Sequence, residues 1–140
     1  MLKNVDKLLT GDLLKILCDM GHGDELVIAD ANFPAERVAQ RLMKLPGIDG
    51  VRATQAIMTV LPLDTYVDDP AIIMALTASD VKKGMAAPAI WDDYRRVVQH
   101  PLAQIEREAF YERSKKAFAV IQTGEERQYG NLLLVKGLVL

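Results

Sequence analysis

Cysteine is nearly absent from this sequence: Cys18 stands alone among 140 residues, which excludes an internal disulfide and fits a reducing compartment. Histidine is almost as scarce. His22 and His100 are far apart in the chain, and neither CxxC nor HExxH spacing occurs, so a zinc site has no sequence basis. The phosphate-cradling patterns GxxxxGK[ST] and GxGxxG are also missing. No apolar run approaches the ~20 residues of a membrane helix, and "MLKNVDKLLTGDLL" lacks the apolar core of a signal peptide. A net charge of −2 gives no general attraction to nucleic acid or to anionic membranes. These absences lead to the expectation of a cytoplasmic protein that works without metal or cofactor.

What is present is ordinary globular material. Half the residues are apolar and 26% are charged, enough for a real core, and the length reads as one domain over residues 1–140. Thr10 or Asp12 can cap a first helix with Leu13, Leu14, Ile16 and Leu17 on its apolar face, and Gly21 is a plausible stop. "ELVIA" (25–29) and "AIIMAL" (71–76) read as buried strands. "QRLMKL" (40–45) reads as a weaker strand, with a helix from Pro34 competing for it. Asp49 can cap a helix through "VRATQAIMTVL", "VKKGMAAP" reads as a loop, and "AIWDDYRRVVQ" (89–99) as an amphipathic helix. Further on, "AQIERE" alternates like an edge strand and "AFYERSKKA" reads as a short helix. "FAVIQTG" and the closing "LLLVKGLVL" read as strands flanking the turn "EERQYGN". Strands interleaved with helices imply a layered α/β domain with a largely parallel sheet.

The segment "CDMGHGDELVIADANFP" (18–34) sets His22 in a glycine turn ahead of a strand, with Asp30 at that strand's carboxyl end. Ligands of open α/β sheets bind outside such ends, and Arg107 is expected near another one. Taken alone, each of these residues has a plainer reading. His22 is a solvated helix-end residue, Asp30 a turn cap, Arg107 a wet edge-strand residue, Asp64 half of an ordinary loop pair. Tyr129-Gly130-Asn131 is simply a good turn. Cys18 reads as a small buried hydrophobe, "ERSKK" (112–116) as the wet face of a helix, and Trp91 as a core or subunit-contact residue, with a stacking platform for a ligand as the alternative.

Four ordered blocks change that weighing: "MGHGDELVIADANFP" (20–34), "LPLDTYV" (61–67), "EREAFYERSKKAFAVIQTGE" (106–125) and "YGNLLLVKG" (129–137). In them the chain resembles the sugar mutarotase family of L-fucose mutarotases and D-ribose pyranases. Gly-His-Gly-Asp, "FYER" preceded by Arg107, and Tyr-Gly-Asn resemble the fucose branch. The resemblance implies an α/β/α fold and cofactor-independent interconversion of the α and β anomers of a reducing sugar, L-fucose or a related monosaccharide. It implies that His22 is the proton-transfer residue and that Asp30, Arg107, Tyr129, Gly130 and Asn131 bind the sugar, with Asp64 as a further sugar contact. It also implies a ring-like homo-oligomer, often a decamer, with sites near subunit contacts. Histidine suits the chemistry, because imidazoles titrate near neutral pH. Pyranose–furanose interconversion of D-ribose, and sugar binding without turnover, stand as the alternatives.

Overall fold

The computed structural model describes all 140 residues. Six strands, β1 (Glu25–Ala29), β2 (Leu42–Leu45), β3 (Ala71–Met74), β4 (Ala103–Ile105), β5 (Ala119–Thr123) and β6 (Leu132–Val135), form one sheet in the order β2-β5-β1-β6-β3-β4. The β2–β5, β5–β1 and β3–β4 pairs are parallel. β6 runs antiparallel between β1 and β3. The expected largely parallel sheet is therefore present, with its one reversed strand in the interior.

Period-two alternation sorts the strand residues onto two faces. Leu26, Ile28, Ala71, Ile73, Ala119, Ile121, Leu132 and Leu134 point into one core. That core is closed by α1 (Gly11–Asp19), α3 (Gly50–Met58) and α5 (Ile90–Val98) through Leu13, Leu17, Ala53, Ile57 and Tyr94. Their neighbours Val27, Ala29, Ile72, Met74, Val120 and Leu133 point into a second core, closed by α2 (Ala35–Val38) and α6 (Arg107–Lys116) through Val38 and Phe110. With both faces covered, every residue of β3 and β6 is buried, which is why those strands read as unbroken apolar runs. A short helix, α4 (Ala78–Lys82), follows β3.

Local chemistry sets the helix ends. Thr10 accepts the Leu13 N–H at 3.3 Å and Asp49 accepts the Arg52 N–H at 2.8 Å, both as N-caps. Asp12 lies inside the first turn of α1. Gly21 does not end that helix: Met20 leaves it in an extended conformation, and the left-handed glycine of the turn is Gly23. The expected "AQIERE" strand stops at Ile105, because the chain turns helical at Arg107, with Glu106 at the N-cap position but making no side-chain cap bond. Pro34 and β2 do not compete, since α2 ends at Val38 and leaves Leu42–Leu45 free to pair with β5. The closing run is strand only to Val135, and Leu138, Val139 and Leu140 are exposed. Cys18 is exposed, contrary to the expectation of burial. One step past Leu17 on a helix turns the side chain about 100° away from the buried stripe.

Glu125 ties three elements together beneath the carboxyl ends of the strands. It is 3% exposed, accepts the Gly50 N–H at 3.2 Å and pairs with Arg127 at 2.9 Å, while its backbone carbonyl accepts the Ala31 N–H. Gly50 has no room for a side chain, because a Cβ there would stand 2.1 Å from the Tyr94 hydroxyl. Burial pushes the Glu125 carboxyl up, but the bonds from the Arg127 side chain, the Arg127 N–H and the Gly50 N–H outweigh it and hold it below its ordinary 4.5. A lowered folded-state value means stabilisation that is present above about pH 4.5 and fades as the pH falls through the folded value. Glu125→Gln should therefore melt lower than the wild type at pH 7, by about 1–3 kcal/mol in unfolding free energy. In denaturant titrations repeated down to pH 3, the gap should narrow.

Candidate functional site

A cleft of about 380 Å³ opens at the carboxyl ends of β1, β3 and β4, where β6 begins. Asp30, Arg107, Tyr129 and Asn131 line it, together with Asn32, Phe33, Met74, Asp80, Tyr111 and Gln128. Its volume lies in the ~300–1,000 Å³ range of small-molecule sites. Each wall follows from the fold. Asp30 is the first residue past β1, Met74 ends β3, Arg107 opens the helix that follows β4, and Asn131 is the last residue before β6.

Asp30 and Asn131 bind each other twice. The Asp30 N–H donates to Asn131 Oδ1 at 2.9 Å, and Asn131 Nδ2 donates to Asp30 Oδ2 at 3.1 Å. Oδ1 of Asp30 also accepts the Asn32 N–H at 3.0 Å. Burial pushes the Asp30 carboxyl up, and the Asn32 and Asn131 bonds work against that shift. Tyr129 is held in the left-handed region at φ 61°, an uncommon conformation for a bulky residue. The chain is pinned there by α5: Trp91 Nε1 donates to the Tyr129 carbonyl at 3.1 Å, and the Tyr94 hydroxyl donates to the Gly130 carbonyl at 2.8 Å. Burial holds the Tyr94 phenol protonated for that bond. Gly130 is packed too closely for any side chain, since a Cβ would stand 2.9 Å from Glu125 Cγ. Arg107 is exposed at the rim, its guanidinium carbon 5.5 Å from the Tyr111 ring centre.

His22 and Asp64 stand elsewhere. His22 precedes β1 and Asp30 follows it, so a strand about 16 Å long separates them at about 3.3 Å per residue. His22 Nε2 meets Asp64 Oδ1 at 3.0 Å, with the histidine side chain 38% exposed and the aspartate 3%. Asp64 also accepts the Tyr66 N–H at 3.0 Å, and the Tyr66 ring lies 5.3 Å from the imidazole, centre to centre. The Tyr66 N–H and, after it, His22 hold the Asp64 carboxyl below the usual carboxylate range against the opposing effect of burial. An ionised Asp64 accepts the Nε2 proton, which leaves Nδ1 as the nitrogen free to exchange a proton.

Of the residues singled out in the sequence, the fold thus gathers Asp30, Arg107, Tyr129, Gly130 and Asn131 at one end of the sheet and pairs His22 with Asp64 at the other. Trp91 sits in the core, 5% exposed, and serves the site through its indole N–H. Asp80 and Tyr111 are pocket residues that the sequence reading missed. Tyr111 stands four residues after Arg107 on one helix, a spacing that places both on one face. Asp80 has no such signal, because only the fold of the 75–89 segment brings it to Tyr129. No group of three His, Cys, Asp or Glu side chains is arranged to hold a metal ion, and no helix is long and apolar enough to cross a membrane.

Removing the amide of Asn131 leaves the Asp30 N–H and one carboxylate oxygen without partners. Asn131→Ala should cost about 1–3 kcal/mol in denaturant unfolding. It should also move the Asp30 carboxyl further up in a carbon-detected NMR titration, because a bond that favours the charged form is gone.

Residues 3–139 match the model of the RbsD / FucU transport protein family. The fucose mutarotase of Homo sapiens is 45% identical over 146 aligned positions, covering 99% of this chain and 94% of that protein. Among solved structures, the fucose mutarotase of Streptococcus pneumoniae in complex with L-fucose superposes with a TM-score of 0.92 at 39% identity, over 99% of this chain and 100% of that one. Bacillus subtilis RbsD complexed with D-ribose superposes at 0.72 with 26% identity, each chain covered in full. Similarity along the whole length, in sequence and in three dimensions, places this chain in the RbsD / FucU family.

Proposed function

We propose that the protein is a fucose mutarotase, an isomerase that interconverts the α and β anomers of L-fucose by acid/base-assisted opening and closing of the ring. The observation that carries this reading is the cleft. A carboxylate, a carboxamide and a guanidinium, groups that between them accept from and donate to sugar oxygens, share it with the apolar and aromatic surfaces of Phe33, Met74 and Tyr111. The fucose mutarotases among its relatives, at full length, support the same substrate.

In this mechanism Asp30 accepts hydrogen bonds from sugar hydroxyls, and Arg107 and Asn131 donate to sugar oxygens. His22, oriented by Asp64, takes the proton of the anomeric hydroxyl through Nδ1 and delivers a proton to the ring oxygen. The bond from the anomeric carbon to the ring oxygen breaks as the aldehyde C=O forms. Rotation about the adjacent carbon–carbon bond then presents the other face, and the same transfers in reverse close the ring. One proton moves between two oxygens and nothing is oxidised, so the reaction needs only a group that both gives and takes a proton.

Because His22 and the cleft lie at opposite ends of the sheet, the complete site in this proposal spans two copies of the chain. His22 and Asp64 of one protomer close over the cleft of the next. Contact between two different surfaces repeats head to tail, and it ends when a ring closes. Exposed apolar residues flank the dyad in keeping with this: Tyr66 at 72% and Val67 at 44%. The ring-like homo-oligomer, a decamer in the family pattern, and the cytoplasmic location belong to this same reading.

NMR magnetisation transfer between the two anomeric signals of L-fucose should show faster exchange with the protein present. His22→Gln should lower that rate roughly 100-fold or more, the usual effect of removing a general acid/base. D-Ribose exchanging between ring forms faster than L-fucose exchanges anomers would overturn the substrate assignment. Co-assembly tests the shared site. His22→Gln and Asp30→Asn should each be inactive alone, yet random rings of the two should recover about a quarter of wild-type activity, the share of contacts that pair an intact His22 with an intact Asp30. Recovery no better than the single variants would exclude the head-to-tail arrangement.

A further inference from the structure

The Tyr129 hydroxyl is already engaged inside the protein. It donates to Asp80 Oδ2 and accepts the Thr77 N–H at 3.1 Å. Asp80 is itself fixed. Its N–H donates to the Thr77 Oγ1 cap of α4 at 3.2 Å, and its other carboxylate oxygen faces Lys83 at 3.9 Å. Its carboxyl is held below the usual carboxylate range, first by the Tyr129 bond, so it is an anion at neutral pH. A phenol has one proton to give. With that proton directed at Asp80, Tyr129 offers an incoming ligand an acceptor lone pair and the face of its ring, and no donor.

This matters because the conformation of Tyr129 is not self-sustaining. A left-handed aromatic residue is strained and persists only where the surroundings over-determine it. Two of its restraints, from Trp91 and Tyr94, come from the buried side and act on backbone carbonyls. On the pocket side the Asn131 amide holds the end of the turn to Asp30, and the Tyr129 side chain is held by its hydroxyl's bonds to Thr77 and Asp80. Asp80 also lines the same cleft as Asp30, Arg107 and Asn131, so the tether joins the turn to a second element of the cleft, α4.

We propose that Asp80 is a positioning residue of this cleft: it acts through Tyr129, taking the hydroxyl's proton and anchoring the left-handed Tyr129-Gly130-Asn131 turn, so that Tyr129 meets the sugar as a hydrogen-bond acceptor. The inference rests on the mutarotase reading for its sugar and deepens it.

The test is a double-mutant cycle on full-length protein, with L-fucose as the probe and anomeric exchange as the readout. Asp80→Ala should raise KM about tenfold while kcat falls less than threefold. Asp80→Asn keeps a carbonyl acceptor for the phenol and should bring KM back to within threefold of wild type. In a Tyr129→Phe background, where there is no proton to accept, Asp80→Ala should change KM by less than twofold. The proposal is overturned if the effects of Asp80→Ala and Tyr129→Phe multiply, if Asp80→Asn is as impaired as Asp80→Ala, or if kcat falls with KM unchanged. Thermal melting without sugar of the wild type, Asp80→Ala, Tyr129→Phe and their double variant reads the link independently of substrate. Non-additive shifts support the anchor, and additive shifts exclude it. Wild-type protein that leaves L-fucose exchange unaccelerated would defeat the mutarotase reading and leave this melting cycle to decide the Asp80 inference alone.

Discussion

The reciprocal bonding of Asp30 and Asn131 is the constraint on which the cleft depends. Each is about nine-tenths or more buried, and each supplies the other's missing partner at the point where β1 ends and β6 begins. A buried carboxylate without such partners would be driven toward its neutral form. A carboxamide is the side chain suited to the position opposite, because it donates to the carboxylate and accepts from the backbone N–H at once. The pair therefore locks the ends of β1 and β6 together and leaves a carboxylate at the cleft. Tyr129 and Gly130 stand within two residues of this lock along the chain.

That lock exists because one strand of the sheet runs backwards. In a wholly parallel sheet every carboxyl end is followed by a connection leading away from it, and only such ends surround a ligand. Here β6 enters the same edge from which β1 and β3 exit, so the segment preceding it, Tyr129-Gly130-Asn131, is delivered among their carboxyl ends. The register of Ile28 with Leu132 puts Asn131 beside the residues that follow β1. The helices then act as a frame. Gly50 of α3 admits the Tyr94 phenol, Tyr94 and Trp91 of α5 hold the turn's carbonyls, and α6 carries Arg107 and Tyr111 to the rim on the opposite face of the sheet.

The two ends of β1 carry complementary equipment. At the carboxyl end stand a carboxylate, a carboxamide and a guanidinium, and at the amino end an imidazole oriented by a carboxylate with one ring nitrogen uncommitted. In the proposed mechanism, binding and proton transfer fall on surfaces that one copy of the chain keeps apart. The exposed Tyr66 ring beside His22 adds aromatic surface to the second of these.

The sequence by itself determined the layered α/β class, because interleaved apolar runs and amphipathic segments allow few other ways to bury both faces of a sheet. It also marked the strands from Glu25, Ala71, Ala119 and Leu132, the Thr10 and Asp49 caps, and the blocks that hold His22, Asp30, Arg107 and the Tyr-Gly-Asn turn. These are local signals, carried by residues a few positions apart. Only the tertiary structure decided that β6 runs antiparallel, that Arg107 opens a helix where a strand had been expected, and that Cys18 faces outward. It alone placed Asp80 against Tyr129 and set His22 a strand's length from Asp30. The reason is that direction in a sheet, the rotation of one side chain about a helix and the meeting of residues 49 or 101 positions apart are fixed by which surfaces pack together, and packing is a property of the whole chain.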